Sequence, residues 1–164
     1  MKTLIRTVVW LALVVWLGGL LFFPFTAWAA FSTLSDTHAA GTIVAKCLNV
    51  LHTEGLVAGC ILVVALAVGH FLRTFRMSTA SIGIVVTLLM IGCTAWSQYR
   101  IIPRMETDRI AAGGAIDSVP KTDPRHVDFD RLHNLSTDVE EAVMLGGLIL
   151  VLVAARDFET GPRA

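Results

Sequence analysis

The sequence predicts an all-α integral membrane protein, a four-helix bundle whose third and fourth spans extend beyond the membrane as a helical hairpin. Two observations predict this class. Apolar residue types make up 55% of the 164 residues and charged types only 16%, whereas soluble domains carry about 25% charged residues. The apolar residues also stand in long runs, and about 20 such residues suffice to cross a bilayer. We therefore predict a single membrane domain over residues 1–164.

The first span is predicted at residues 7–31, after the basic residues Lys2 and Arg6. The uncharged stretch continues to Ser35, far beyond the apolar core of about 7–15 residues in a signal peptide. We therefore expect a spanning helix rather than a cleaved leader. Pro24 is expected to kink its far end, since proline removes a helical hydrogen bond.

Spans two and three follow from the next two apolar runs. Span two is predicted at residues 48–72, and it begins with polar residues that include His52 and Glu54. Span three is predicted at residues 79–98. It ends beside Trp96, where aromatic residues collect at membrane interfaces.

Span four is predicted at residues 136–155, although its uncharged part is shorter than a full span. Counting back about 20 residues from Arg156 places Asp138, Glu140 and Glu141 at the membrane interface. Carboxylates that face lipid are costly, so these three are expected to face other helices or water.

The polar connection at residues 99–135 is predicted to be the extramembrane hairpin. Residues 104–112 are expected to be helical, and Gly113 and Gly114 should end that helix. A second helix is expected to run from Asp128 into span four.

The distribution of basic residues predicts the orientation. Lys2 and Arg6 flank the first span, and Arg73 and Arg76 follow the second. The excess of Lys and Arg on cytoplasmic loops then places both termini in the cytoplasm and the 99–135 connection outside. We predict a location in the bacterial inner membrane.

Three segments carry a family resemblance: WLGGLLFFPF from Trp16, AGTIV from Ala40 and FDRLHNLS from Phe129. In this order they resemble the transmembrane protein 205-like family, small four-span proteins without a settled activity. The most specific piece is the aromatic-x-x-Leu-His-x-x-Ser element, which contains His133. Members often carry a basic residue after that histidine and an asparagine further along, where this chain has Asn134 and Glu140. The resemblance implies an architecture and no mechanism.

Histidines suggest two kinds of cofactor site. His126, Asp130 and His133 have the spacing of one helical face, and imidazole binds divalent zinc, copper or nickel. The alternative is an ordinary solvated face. His52 and His133 lie on different predicted helices and are candidate axial ligands of a single b-type haem. The alternative for His52 is a buried polar group bonded to another helix, and His133 is then expected to reach His52 or Glu54.

A polar cluster is predicted around the heads of spans two and four, with the carboxylates of span four paired to arginines of the preceding helix. Its members are Glu54, Arg100, Arg104, Asp138, Glu140 and Glu141. A proton- or cation-coupled transporter using Glu54, Glu140 and Glu141 is the alternative, because membrane carboxylates often carry protons or cations. The middle of each predicted span is almost wholly apolar, which argues against a pore.

Small residues on three spans are predicted to allow close packing of helices. They are Gly18, Gly19, Gly55, Gly59, Gly146 and Gly147.

The sequence contains no nucleophile elbow, phosphate loop or dinucleotide fingerprint. It also has no basic stripe that would indicate a nucleic-acid partner. We therefore predict a non-catalytic accessory or structural subunit without a cofactor, which packs against lipids and against other membrane proteins or itself. The alternatives are a redox or metal-binding protein, with b-type haem or a divalent metal, and a small transporter.

Overall fold

Helices account for nearly all of residues 1–159, the part of the chain that the computed structural model describes, with side chains through Asp157. The α-helices are α1 (Lys2–Thr33), α2 (Thr37–Phe71), α3 (Met77–Trp96), α4 (Ile102–Ala111) and α5 (Pro124–Glu159). A π-helical segment, Ser97–Ile101, joins α3 to α4 without a break. No β-strand occurs within residues 1–159, which confirms the predicted all-α class.

The long helices exceed the thickness of a bilayer. α1, α2 and α5 contain 32, 35 and 36 residues, which at 1.5 Å per residue makes each about 48–54 Å long. The hydrocarbon core is about 30 Å thick. Part of each helix must therefore extend beyond the core if the helix crosses the membrane.

Two helices begin earlier than the apolar pattern indicates. α2 begins at Thr37 rather than near residue 48, because the Asp36 side chain caps it by accepting hydrogen bonds from the backbone N–H groups of His38 and Ala39. His38 therefore lies in the first turn of α2 and not in a loop. α5 begins at Pro124 rather than at residue 128, since proline suits the first helical position.

The connection between α4 and α5 has the predicted break. Gly113 and Gly114 follow α4 with φ angles of +86° and +98°, a region that residues with a Cβ rarely adopt. A 3₁₀ turn at Ile116–Ser118 follows. The two glycines thus stop the helix and let the chain return toward α5.

Four helices, α1, α2, α3 and α5, pack around a common core. α1 contacts α2, α2 contacts α3, and α5 contacts both α3 and α1. Trp16, Leu62 and Val143 are among the most deeply buried side chains of this core. α4 packs against the first part of α5 through a smaller apolar cluster around Ile101 and Leu132.

Gly55 and Gly59 of α2 make room for Trp16 of α1. A Cβ on Gly59 would lie 2.6 Å from Ile91 Cγ1 and 2.9 Å from Trp16 Cζ3, closer than side-chain carbons approach. The absence of side chains at these positions therefore allows the indole to lie against the α2 backbone.

Of the other predicted packing glycines, three lie close to a neighbouring helix and one does not. A Cβ on Gly19, Gly146 or Gly147 would lie within 3.0 Å of a side chain of a neighbouring helix. Gly18 is exposed and would meet nothing within 4 Å, so it makes no close helix contact within the described part of the chain, and packing of Gly18 against a partner stays a prediction. It lies next to Gly19 on the helix, and adjacent residues point to different sides.

Three helices in the described part of the chain are long and apolar enough to cross a membrane: α1, α2 and the helix that begins at Met77. The most apolar stretches of these helices are only 28%, 44% and 33% buried inside the protein. α5 is not among the three, because charged residues flank its apolar part. The large apolar outer surface indicates a membrane environment, since soluble monomers rarely expose such patches.

Candidate functional site

His52 is the most deeply buried titratable side chain of the fold, with 1% of its surface exposed. Its Nδ1 lies 2.7 Å from Gln98 Oε1, and its Nε2 lies 2.5 Å from Glu140 Oε1. The imidazole of α2 is therefore hydrogen-bonded to the α3–α4 junction and to α5 at the same time. We call His52, Glu140, Gln98 and Asn49 the polar cluster.

The π-helical segment carries Gln98 into this cluster. A π turn inserts an extra residue into a helix and occurs frequently at functional sites. Gln98 Nε2 donates to Asn49 Oδ1 over 3.2 Å, so its carbonyl oxygen is the atom that faces His52. Nearby, Ser97 Oγ lies 3.5 Å from Ser136 Oγ, and both serines are buried. The segment thus places polar groups where α2, α3 and α5 meet.

The hydrogen bonds of His52 limit the forms in which the imidazole and the Glu140 carboxyl group can face each other. The Gln98 carbonyl can only accept, so His52 Nδ1 carries a hydrogen. The Nε2–Oε1 contact also needs one hydrogen. Either an imidazolium faces a carboxylate, or a neutral imidazole faces a carboxylic acid. In both cases the pair has no net charge, which suits a low-dielectric environment.

Glu140 is held by one oxygen only. Its side chain is 16% exposed, and Oε2 is buried without a hydrogen-bond partner among the described residues. Since an unpaired buried oxygen is costly, His52 is the main group that compensates for the burial of this side chain.

The predicted tie between His133 and the start of α2 is wrong. His133 is exposed, and its ring stacks on Phe129 at a centroid distance of 6.4 Å. Glu140, seven residues later, makes the contact with His52 instead. At 1.5 Å per residue this is about 10 Å further along α5, where that helix has entered the four-helix core.

The structure does not bring His52 and His133 together as haem ligands. Both ring nitrogens of His52 are already engaged, one by Gln98 and the other by Glu140. An axial ligand needs a free ring nitrogen, so this arrangement does not suit a haem.

The predicted metal site is not formed either. His126 is buried, with Nδ1 3.2 Å from the Val119 carbonyl oxygen and Nε2 3.7 Å from Asp130. His133 lies apart and exposed. Across residues 1–157 no group of three or more His, Cys, Asp or Glu side chains is arranged to hold a metal ion.

The arginines of the α4 region pair differently from the prediction. Arg104 forms an ion pair with Asp128 at 3.0 Å rather than with Asp138, Glu140 or Glu141. The antiparallel register explains this difference. The contact between Ser97 and Ser136 sets residue 104 opposite residue 129, far from the head of span four.

Four further members of the predicted cluster lack the expected partners. Asp138 and Glu141 are exposed. Arg100 forms no ion pair with any side chain in the described part of the chain. Glu54 is half-buried, and its Oε1 lies near Gly19 rather than near span four.

A second polar cluster, around Asp157, lies at the opposite end of the fold and was not predicted. Asp157 is buried and accepts hydrogen bonds from the Arg76 N–H at 3.3 Å and the Thr79 hydroxyl at 2.9 Å. Arg6 lies 3.6 Å from its second oxygen. The start of α1, the start of α3 and the end of α5 therefore meet at this carboxylate. The sequence signal that could have predicted this cluster is an acidic residue at the end of a span, between Arg156 and an apolar residue.

An all-helical fold over residues 1–159, with three helices long and apolar enough to cross a membrane, indicates the class of helical membrane proteins. More specifically, residues 11–109 match the family described as Domain of unknown function (DUF4149). The match spans more than half of the chain, so the protein belongs to this family. His52 and Gln98 lie within the matched region, and Glu140 lies beyond it. No curated protein and no solved structure matches the chain.

Proposed function

We propose that the protein is a non-catalytic four-span membrane protein that packs against lipids and other membrane proteins, as an accessory or structural subunit. The apolar outer surface is the observation that carries this proposal. Most of each apolar stretch of α1, α2 and α3 faces outward. Such a surface is stable next to acyl chains or next to the apolar helices of a partner.

The packing of α5 supports its role as the fourth span. It contacts α1 and α3, buries Val143 and Leu150, and directs Leu145 and Leu152 outward. Two carboxylates that flank its apolar part have partners inside the protein: Glu140 contacts His52, and Asp157 contacts Arg6. Two of the charges that interrupt its hydropathy are thus compensated, whereas Glu141 is exposed.

Contacts outside the apolar region support the hairpin as an extramembrane unit. Arg109 Nη1 lies 3.1 Å from His38 Nδ1, and Thr37 donates to Asp117 over 3.3 Å. The first turn of α2 therefore contacts the connection between α4 and α5. We propose that this end faces outward from a bacterial inner membrane and that both termini face the cytoplasm.

The interior favours a structural role over transport. Between the polar cluster and the Asp157 cluster, the core consists of apolar side chains such as Trp16, Leu62 and Leu66. The buried hydroxyl of Thr87 donates to the Gly83 carbonyl of its own helix. A coupled transporter needs charged or titratable groups that continue across the bilayer, and among residues 1–157 the buried ones of the core, His52 and Asp157, lie at its two ends.

The enclosure of the polar cluster favours a non-catalytic role. The His52 ring is almost fully buried, and both of its nitrogens contact protein side chains. A general base must come within hydrogen-bond reach of its substrate. A hydrogen-bonded link between α2, α3 and α5 is therefore the role we assign to this histidine.

Native mass spectrometry of gently solubilised membranes tests the proposal. We expect the intact chain to be released together with another membrane protein, or with a second copy, in a fixed ratio. Milder and harsher detergents provide the control, because a specific complex dissociates in defined steps. A solitary chain that retains a stoichiometric cofactor would contradict the proposal.

A further inference from the structure

A cleft of about 590 Å³ lies between the α3–α4 helix and the first part of α5. Its floor is apolar and is formed by Ile101, Leu132 and Leu135. It opens where α3 gives way to the π-helical segment, which is the proposed membrane interface. A cleft at this height is accessible from the lipid headgroup region.

The rim of the cleft is cationic. Arg100, Arg104 and Arg131 line it. The carboxylate of Asp128 binds two of them, Arg104 at 3.0 Å and Arg131 at 2.6 Å. Arg100 is exposed and has no carboxylate partner among residues 1–157. With Asp138 as the remaining acidic group of the cleft, three guanidinium groups face two carboxylates, and the balance is positive.

An exposed apolar surface continues from the cleft toward the membrane centre. Trp96 lines the cleft and is 48% exposed, as is typical of an interfacial aromatic residue. Leu89 lies two turns from Trp96 on the same face of α3, and Leu145 lies two turns from Asp138 on α5. Both leucines are exposed.

We propose that this cleft and the apolar surface below it bind an anionic phospholipid of the surrounding leaflet. The phosphate lies at Arg100, where a guanidinium without a partner can form charge-assisted hydrogen bonds. An acyl chain lies along Leu89 and Leu145. The proposal rests on the four-span arrangement that the proposed function assumes. It adds the class of lipid that binds at one site on the outer surface.

The combination of features favours a lipid over a soluble phosphate compound. A free anion needs only the arginines, which are largely exposed to water. The apolar floor and the exposed apolar surface below Trp96 add contacts that only a molecule with a hydrocarbon chain can use. The guanidinium groups in turn distinguish a lipid with net negative charge from a zwitterionic one.

Native mass spectrometry of the purified full-length chain, titrated with phosphatidylglycerol or phosphatidylcholine, tests this site. We expect the wild-type chain to bind phosphatidylglycerol about tenfold more tightly, as one strong charge-assisted contact allows. Arg100→Gln should remove this preference, and Arg100→Lys should retain part of it. The matched control is Lys121→Gln, which removes the same charge from an exposed position outside the cleft. Equal elution and thermal unfolding would show that the variants fold.

Three results would overturn the proposal. The first is an Arg100→Gln variant that binds phosphatidylglycerol as the wild type does. The second is an equal loss in Lys121→Gln, which would indicate attraction to overall charge. The third is displacement of the lipid by inorganic phosphate, which would indicate a soluble ligand. Because binding is measured in detergent, these results do not depend on whether α5 crosses a membrane, which cysteine labelling tests separately.

Discussion

At the residue scale, the contact between the buried His52 and the partly buried Glu140 links α2 to α5. Each side chain compensates for the burial of the other, so removing one leaves a buried polar group without its partner. Such a loss costs about 1–3 kcal/mol. We infer that the two residues act as one unit that fixes α5 against α2.

A double-mutant cycle tests this coupling. His52→Ala and Glu140→Ala should each lower the free energy of unfolding in detergent by about 1–3 kcal/mol. The double variant should lose clearly less than the sum of the two, since the second substitution removes a partner already lost. The exposed His133→Ala serves as control and should change stability by less than about 0.5 kcal/mol. Additive losses at positions 52 and 140 would contradict the coupling.

The sequence predicted that His52 and Glu140 take part in contacts between helices, but it did not predict that they contact each other. Glu140 was expected to face another helix because a carboxylate in lipid is costly, and His52 was expected to be bonded across helices. Their pairing depends on how α2 and α5 are placed across the bundle, which no local pattern encodes. His133 stood out through the family resemblance, yet its side chain is exposed.

At the element scale, the start of α5 depends on a cap that lies ahead of the apolar pattern. Asp123 Oδ1 accepts the Arg125 N–H over 2.9 Å, and the Arg125 guanidinium contacts both carboxylate oxygens. The side-chain hydrogen bond from Arg125, assisted by this backbone N–H, lowers the pKa of Asp123 from 3.8 to about 2. The ionised carboxylate is therefore the capping form.

This shift predicts a dependence of the α5 start on pH. A folded-state pKa below the unfolded value means that the stabilisation is fully present above about pH 4. It is lost as the pH falls through 4 toward 2, where the folded carboxyl group takes up a proton. We expect hydrogen exchange of the first α5 amides to accelerate in this window, relative to the Asp123→Asn variant. Asparagine keeps a capping oxygen but does not titrate, so an identical pH profile in that variant would contradict the prediction.

The starts of α2 and α5 show why the boundaries of a helix were harder to predict than its existence. Apolar runs identified α1, α2, α3 and α5 because a membrane-length run has few alternatives. The first turns of α2 and α5 are polar, so their starts depend on the caps at Asp36 and Asp123 rather than on hydropathy. The π-helical segment was not predicted, since an extra residue inside a helix leaves the apolar pattern almost unchanged.

At the scale of the whole molecule, two polar clusters close the ends of an apolar core. The cluster of His52 and Glu140 links α2, α3 and α5 at one end. Asp157 links the starts of α1 and α3 to the end of α5 at the other. Since α5 takes part in both, it spans the distance between the two clusters. We therefore expect α5 to cross the membrane as the fourth span.

Cysteine labelling of intact cells tests this claim most directly. Single cysteines at Lys121 and Ala164 flank α5 in a background where Cys47, Cys60 and Cys93 are replaced by serine. We expect a membrane-impermeant maleimide to label position 121 in intact cells and position 164 only after permeabilisation. Labelling of position 164 alone in intact cells would invert the orientation but keep the span. Labelling of both positions from the same side would contradict the four-span account.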